Sequence, residues 1–235
     1  MCGRFAQFSV LETLQQHFPI DTVACDVRSS FNIAPTHKIL TIARENDYRL
    51  SSRHWGLVPF WAKDLSSAPR SINARAETAS KKPSFRNAYK NRRCLILADG
   101  FYEWQKTDNR KQPYFLTLAT KNPFAFAGLW EIWEGREETR HESCTILTTE
   151  AKGYARGIHH RMPVILPPHA FDVWLDPENR DTAMLDALVL GKHQQALTGY
   201  PVSSFVNSPR NNTSRCIEAV GASTESLSLF EKPAV

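Results

Sequence analysis

Between positions 94 and 166 the chain strings together CLILADGFYEW, YFLTLA, FAFAGLWEIW, SCTILTT and MPVIL. These strand-like runs and the helical signals around them do not alternate as βαβ units, which excludes a doubly wound parallel sheet. HKILTIAR and YRLSSRHW, joined through ENDY, read as a further hairpin, and YPVSSFV as a late strand. Helical patterning is confined to SVLETLQQHF, KPSFRNAYKNRR, PHAFDVWLD and TAMLDALVLG. In the first of these, Ser9 and Glu12 have capping-box spacing and Val10, Leu11, Leu14 and Phe18 form an apolar stripe. The stretch from Gly56 to Ile72 holds Pro59 and Pro69 and has little periodicity, so it is expected to be an irregular loop presenting Phe60 and Trp61. The pattern predicts one α+β domain over residues 1–223, a mostly antiparallel, barrel-like sheet with flanking helices. Residues 224–235 read as a polar, flexible tail.

The chain is long enough, at 235 residues, to bury a substantial core. No apolar run approaches the ~20 residues of a membrane span, and no signal-like stretch follows Met1. The net charge of +5 fits an anionic partner such as nucleic acid, a point that the placement of the arginines must carry. Cys2, Cys25, Cys94, Cys144 and Cys216 are scattered, odd in number, and lack C-x-x-C or zinc-ligand spacing. That predicts reduced thiols, a cytoplasmic setting and no metal site.

Four places can carry chemistry, and each has a plain structural alternative. The first is MCGRF. Loss of Met1 makes Cys2 the terminal residue, with an α-amine titrating near ~8 and a thiol near ~8.5 on adjacent carbons. Arg4 is a positive charge placed to favour the thiolate; the alternative is a buried packing cysteine. The second is SINARAETAS, where Asn73 and Arg75 point to one face of an extended segment, or are a turn residue and a solvated cation. The third is ADGFYEW, whose Glu103 sits between Tyr102 and Trp104 and is either a general acid with a raised pKa or a strand residue facing water. The fourth is GIHHRMPVIL. Two adjacent histidines on an extended chain cannot both face one pocket, so one of His159 and His160 is expected to act and the other to point away.

Taken together, MCGRF, FNIAP, WGLVPFW, INARAET, ADGFYEW, ILTTEA and IHHRMPVIL resemble the SOS-response-associated peptidase (SRAP) family, whose members crosslink to abasic sites in single-stranded DNA. The resemblance covers nearly the whole chain. It implies catalytic roles for Cys2, Asn73, Glu103 and His159, and DNA contacts from Arg4, Asn32, Pro35, Trp61, Arg75, Thr148 and Arg161. His160 departs from the acidic or amide residue found there in many relatives. No cofactor or metal is implied. The expected partner is single-stranded DNA carrying an abasic site, junctions included, bound by a monomer in the cytoplasm, at the nucleoid when DNA is damaged.

The implied chemistry is attack of the Cys2 amine on the ring-opened sugar aldehyde, followed by thiol addition to close a thiazolidine. β-Elimination is the natural lyase side reaction, and removal of Met1 the peptidase step. Glutamine amidotransferases of the N-terminal-nucleophile class also begin MCG, and a glutamine amidohydrolase is the alternative enzyme. The chain has no length for their synthase domain and carries Arg4 where they usually have an apolar residue. A binding module with an idle Cys2 is the non-enzymatic alternative.

Overall fold

The computed structural model describes residues 2–107, 110–135, 139–191 and 196–221. The strands are β1 (Phe5–Gln7), β2 (Thr22–Val23), β3 (Ser30–Ile33), β4 (Lys38–Arg44), β5 (Tyr48–Trp55), β6 (Asn73–Arg75), β7 (Arg93–Ala98), β8 (Gly100–Thr107), β9 (Arg110–Leu118), β10 (Phe124–Glu134), β11 (Arg140–Glu150), β12 (Arg161–Pro163), β13 (Ile165–Leu166) and β14 (Leu197–Pro201). The α-helices are α1 (Leu11–His17), α2 (Ala76–Ala79), α3 (Arg86–Asn91), α4 (Gly153–Arg156), α5 (Phe171–Leu175) and α6 (Thr182–Leu190).

Five strands close into a barrel. β11, β10, β7, β4 and β5 pair in that order, all antiparallel, and β5 returns to β11 in parallel at Ser143↔His54 and Cys144↔Trp55. Closure leaves these strands without open edges. Inward-facing residues alternate along every strand and fill the barrel with Ile39, Trp55, Cys94, Ile96, Phe126, Trp130, Cys144 and Ile146. Gly128 is required here, because a Cβ would stand 2.8 Å from both Cys94 Sγ and Ile96 Cδ1. All five cysteines are free thiols.

The outward faces of the same strands carry Leu40, Ile42, Leu50, Leu95, Leu97 and Leu147. Leu14 and Phe18 at α1, Tyr89 of α3, Trp174 of α5 and Leu185 of α6 pack against them as an outer layer. A second, antiparallel sheet in the order β14-β9-β8-β1-β3 shares the barrel's interior core through Phe5, Ile33, Phe101 and Leu116. Its anchor is Phe5, whose ring meets Trp55 at 5.3 Å and Phe126 at 5.7 Å edge-on. This is an α+β fold, and it seats the first residues of the chain between sheet and barrel.

The break expected at Asp99-Gly100 is present: β7 ends at Ala98 and β8 starts at Gly100. Two local expectations are corrected. Val10, not Ser9, precedes α1, with no side-chain cap, because the Ser9 hydroxyl is spent on the Asp99 carboxylate, which also accepts from the Phe8 and Ser9 amides. YPVSSFV is strand only to Pro201; Ser204–Asn207 form a 3₁₀ turn whose Phe205 amide donates to the Ser203 hydroxyl. The tail expected at 224–235 lies outside the described residues. Among the described residues no helix is long and apolar enough to cross a membrane.

Candidate active site

Cys2 is wholly buried, among Phe5, Trp55 and Phe101. β1 pairs with β8 at Phe5↔Phe101 and Ala6↔Gly100, and the Tyr102 amide donates to the Arg4 carbonyl at 2.9 Å. This register carries Cys2 and Gly3 alongside Glu103. Burial, and next the charge of Glu103, push the Cys2 thiol well above its ordinary value. The expectation that Arg4 favours a thiolate is therefore corrected. The Arg4 guanidinium donates instead to Asn32 Oδ1 and the Val206 carbonyl, each at 2.8 Å.

Asn73 arrives from a different part of the chain. β6 lies parallel to β11 at Ile146↔Asn73 and Thr148↔Arg75, which gives the extended segment expected for Asn-x-Arg. Asn73 Nδ2 donates to the Cys2 carbonyl at 2.8 Å. Its Oδ1 is buried and has no hydrogen-bond partner among the described residues. Arg75 is exposed beyond it.

Glu103 does not face water: it is 4 % exposed, and burial pushes its carboxyl up to about 7. His159 Nδ1 lies 4.0 Å from Glu103 Oε2. Nδ1 lies 3.0 Å from both the Arg161 amide nitrogen and the Arg161 carbonyl oxygen, accepting from the first in one tautomer and donating to the second in the other. Burial holds His159 below its ordinary pKa. The expectation that His160 would point away is corrected. The segment bends, and the two imidazoles sit with centroids 4.3 Å apart on one cleft of about 680 Å³.

The residues expected to meet DNA divide into two groups. Arg75, Trp61 and Arg161 are reachable from solvent. Arg161 forks onto Glu77, with Nη1–Oε1 2.6 Å and Nη2–Oε2 2.9 Å, and Nη2 also donates to the Thr148 carbonyl at 2.6 Å. Trp61 is 52 % exposed on a loop tied down by Trp133 Nε1 donating to the Ala62 carbonyl at 2.7 Å. Trp133 pairs with His141, so this anchor and Thr148 are separated by roughly 23 Å along β11, at about 3.3 Å per residue. The aromatic loop therefore flanks the cluster of Cys2, Asn73, Glu103 and His159 rather than joining it.

Asn32 and Thr148 are buried and committed. Asn32 Nδ2 donates to the carbonyls of Val206, Ser208 and Asn211, and Thr148 braces Arg161, so both support the site from behind. Arg4 also has its guanidinium committed, and Pro35 is half-buried in the turn before Thr36, which has a φ of 75°. Glu77, Glu150 and Arg156 line the cleft and were not singled out from the sequence. Glu77 was in view within INARAET, but its partner is 84 residues away and no spacing pattern links them.

This is a buried cysteine with an amide on its carbonyl, a carboxyl titrating near neutrality and, beside that carboxyl, an imidazole that lines a cleft edged by arginines. The SOS response associated peptidase (SRAP) family model matches residues 1–209. Similar proteins include the abasic site processing protein YoqW of Bacillus subtilis strain 168, 43% identical over 223 residues, covering 93% of this chain and 100% of the relative. The abasic site processing protein HMCES of Xenopus tropicalis is 34% identical over 195 residues, covering 73% of this chain and 57% of the relative. A crystal structure of a Bacteroides thetaiotaomicron protein superposes with a TM-score of 0.75 at 25% identity over 91% of both chains. The chain belongs to the SOS response associated peptidase family.

Proposed function

We propose that this chain captures abasic sites in single-stranded DNA as a covalent thiazolidine on Cys2, once Met1 has been removed. Met1 itself lies outside the described residues. The observation that carries the reading is the meeting of Cys2 with Asn73 and Glu103. One holds the Cys2 carbonyl at 2.8 Å, and the other is a buried carboxyl titrating at about 7 whose charge reaches the thiol. The relatives' names, abasic site processing proteins, point the same way.

In the ring-opened sugar the reactive carbon is the C1′ aldehyde. The freed α-amine, steered by Asn73 Oδ1, adds to it and gives a carbinolamine. Glu103 in its acid form protonates the leaving hydroxyl, and one water departs as the imine forms. The thiol then adds to the same carbon. Glu103, now the carboxylate, takes the thiol proton, the C=N electron pair of the protonated imine returns to nitrogen, and a five-membered ring closes. Both nucleophiles belong to one residue, so the second addition is intramolecular and strongly favoured. A proton reservoir near neutrality suits both steps, because it gives and takes within one turnover. His159 assists proton transfer at the sugar oxygen. Loss of the 3′ phosphate by β-elimination from the imine is the competing lyase path, and autocatalytic or aminopeptidase cleavage of Met1 is the maturation step.

Arg75 and Arg161 hold phosphates without reading sequence, and Phe60 and Trp61, both half-exposed, stack on bases or wedge at a junction. The protein acts as a monomer in the cytoplasm. The test is incubation with a single-stranded oligonucleotide containing one abasic site, followed by a denaturing gel. Wild type should give a shifted band and Cys2→Ala none; a shifted band from Cys2→Ala overturns the reading.

A further inference from the structure

Arg161 is expected to hold a DNA phosphate, yet both terminal nitrogens of its guanidinium already face the Glu77 carboxylate. A carboxylate in that bidentate position offers the same two acceptor oxygens that a phosphodiester presents to the fork. The side chain of Arg161 is 13 % exposed and that of Glu77 is 39 % exposed, so the pair sits at the cleft rim with Glu77 on the solvent side. Arg161 is fixed from behind without Glu77, since Nη2 donates to the Thr148 carbonyl at 2.6 Å and reaches the Thr148 hydroxyl at 3.3 Å. Arg75 stands exposed two positions before Glu77, and Arg156 lines the same cleft. Partial burial alone would raise the Glu77 carboxyl, but the Arg161 hydrogen bonds, with Arg75's charge added, hold it below its ordinary value, so it is anionic at neutral pH.

We propose that Glu77 occupies the phosphate seat of Arg161 in the free protein, and that a backbone phosphate of the bound strand displaces it. The inference rests on the DNA-capture reading and adds a competitor to it. A strand entering the cleft presents one phosphate to exposed Arg75, and the next negative charge along the strand competes with Glu77 for the fork. Arg161 is braced by Thr148 throughout, so the exchange needs only the Glu77 side chain, on its short α2 turn, to swing out to solvent. Glu77 is a positioning residue: it lowers affinity for every strand and keeps the guanidinium aligned while no strand is bound.

The test is fluorescence anisotropy with an intact, non-abasic single-stranded oligonucleotide, which reports binding apart from crosslinking. Glu77→Gln keeps the shape and removes the charge. It should tighten binding by roughly two- to fivefold, the range set by partly exposed ion pairs. Arg161→Ala should weaken binding and reduce the slope of log affinity against log salt by about 0.7, the loss of one phosphate contact. The Glu77→Gln gain should vanish in the Arg161→Ala background. Arg161→Gln serves the same purpose if that variant misfolds, since a neutral amide keeps polar bulk but neither the charge nor the fork. Weaker binding by Glu77→Gln overturns the proposal, because it would make Glu77 only a support for Arg161. A gain that persists without the fork also overturns it, as a general charge effect. Absence of binding by wild type sinks the DNA reading itself and this inference with it.

Discussion

Asn73 Nδ2 donates to the Cys2 carbonyl at 2.8 Å, joining residues 71 apart in the chain. The bond requires β6 to lie parallel to β11 and β1 to lie antiparallel to β8, so it records the assembly of barrel and second sheet at one point. It also fixes which way the Cys2 carbonyl faces. With Nδ2 engaged, Oδ1 is left buried beside it and is the acceptor available to a freed α-amine.

Asn73→Ala should therefore slow adduct formation while leaving binding of intact single strands within about twofold. Loss of a buried hydrogen bond costs on the order of 1–3 kcal/mol, which corresponds to roughly a ten- to hundredfold slower reaction. Single-turnover crosslinking on denaturing gels, alongside anisotropy, separates the two effects. Equal losses in both would place Asn73 in strand binding instead.

Glu103 gives a pH signature of defined sign. Burial raises its carboxyl from an ordinary 4.5 to about 7, so the folded chain holds this proton more tightly than the unfolded chain. Its contribution to stability is therefore lost as pH rises from about 4.5 through about 7. Glu103→Gln removes that loss. Urea unfolding at pH 5 and pH 8 should show the variant gaining on wild type at the higher pH, while its crosslinking falls. In wild type, crosslinking should decline above about pH 7 as the acid form is depleted. A flat difference in stability between the two pH values contradicts this assignment.

Gly100 is where β8 passes closest to its neighbours. A Cβ there would stand 2.1 Å from Phe115 Cζ and 2.8 Å from the Leu116 carbonyl oxygen. Gly100→Ala should cost about 1–3 kcal/mol by overpacking. Because Gly100 pairs with Ala6, the displacement reaches β1 and the seat of Cys2. Crosslinking below the melting temperature should drop with stability. Full crosslinking by a destabilised variant would uncouple the two.

Trp61→Ala should behave in the opposite way. The ring is half-exposed, so stability should stay within about 0.5 kcal/mol of wild type. Affinity for single strands should fall by an amount equivalent to about 1–3 kcal/mol, the value of one base stacked on an aromatic ring. Thermal melts and anisotropy on the same preparation check both.

The sequence disclosed the barrel strands because their patterning is strong. β10 and β11 pair from Gly128↔Ile146 to Glu131↔Ser143 within the runs read as strands, and the ladder continues beyond them to Glu134↔Arg140. It singled out Cys2, Asn73, Glu103 and His159 through motifs, and Asn-x-Arg did prove extended. What it hid was set by distant partners. Ser9 looked like a helix cap, but Asp99 claims it. Arg4 looked like a companion for the thiol, but Asn32 and Val206 hold its guanidinium. His160 looked destined to diverge, but a bend after α4 sets it beside His159. Each of these outcomes depends on a tertiary contact or bend that local spacing does not carry.

The most direct measurement is mass spectrometry of the crosslinked protein after nuclease digestion and peptide mapping. The account predicts that every crosslinked chain lacks Met1 and that the sugar remnant lies on Cys2, attached through both nitrogen and sulfur. Met1 retained on the crosslinked chain, or the remnant on any other residue, would contradict it.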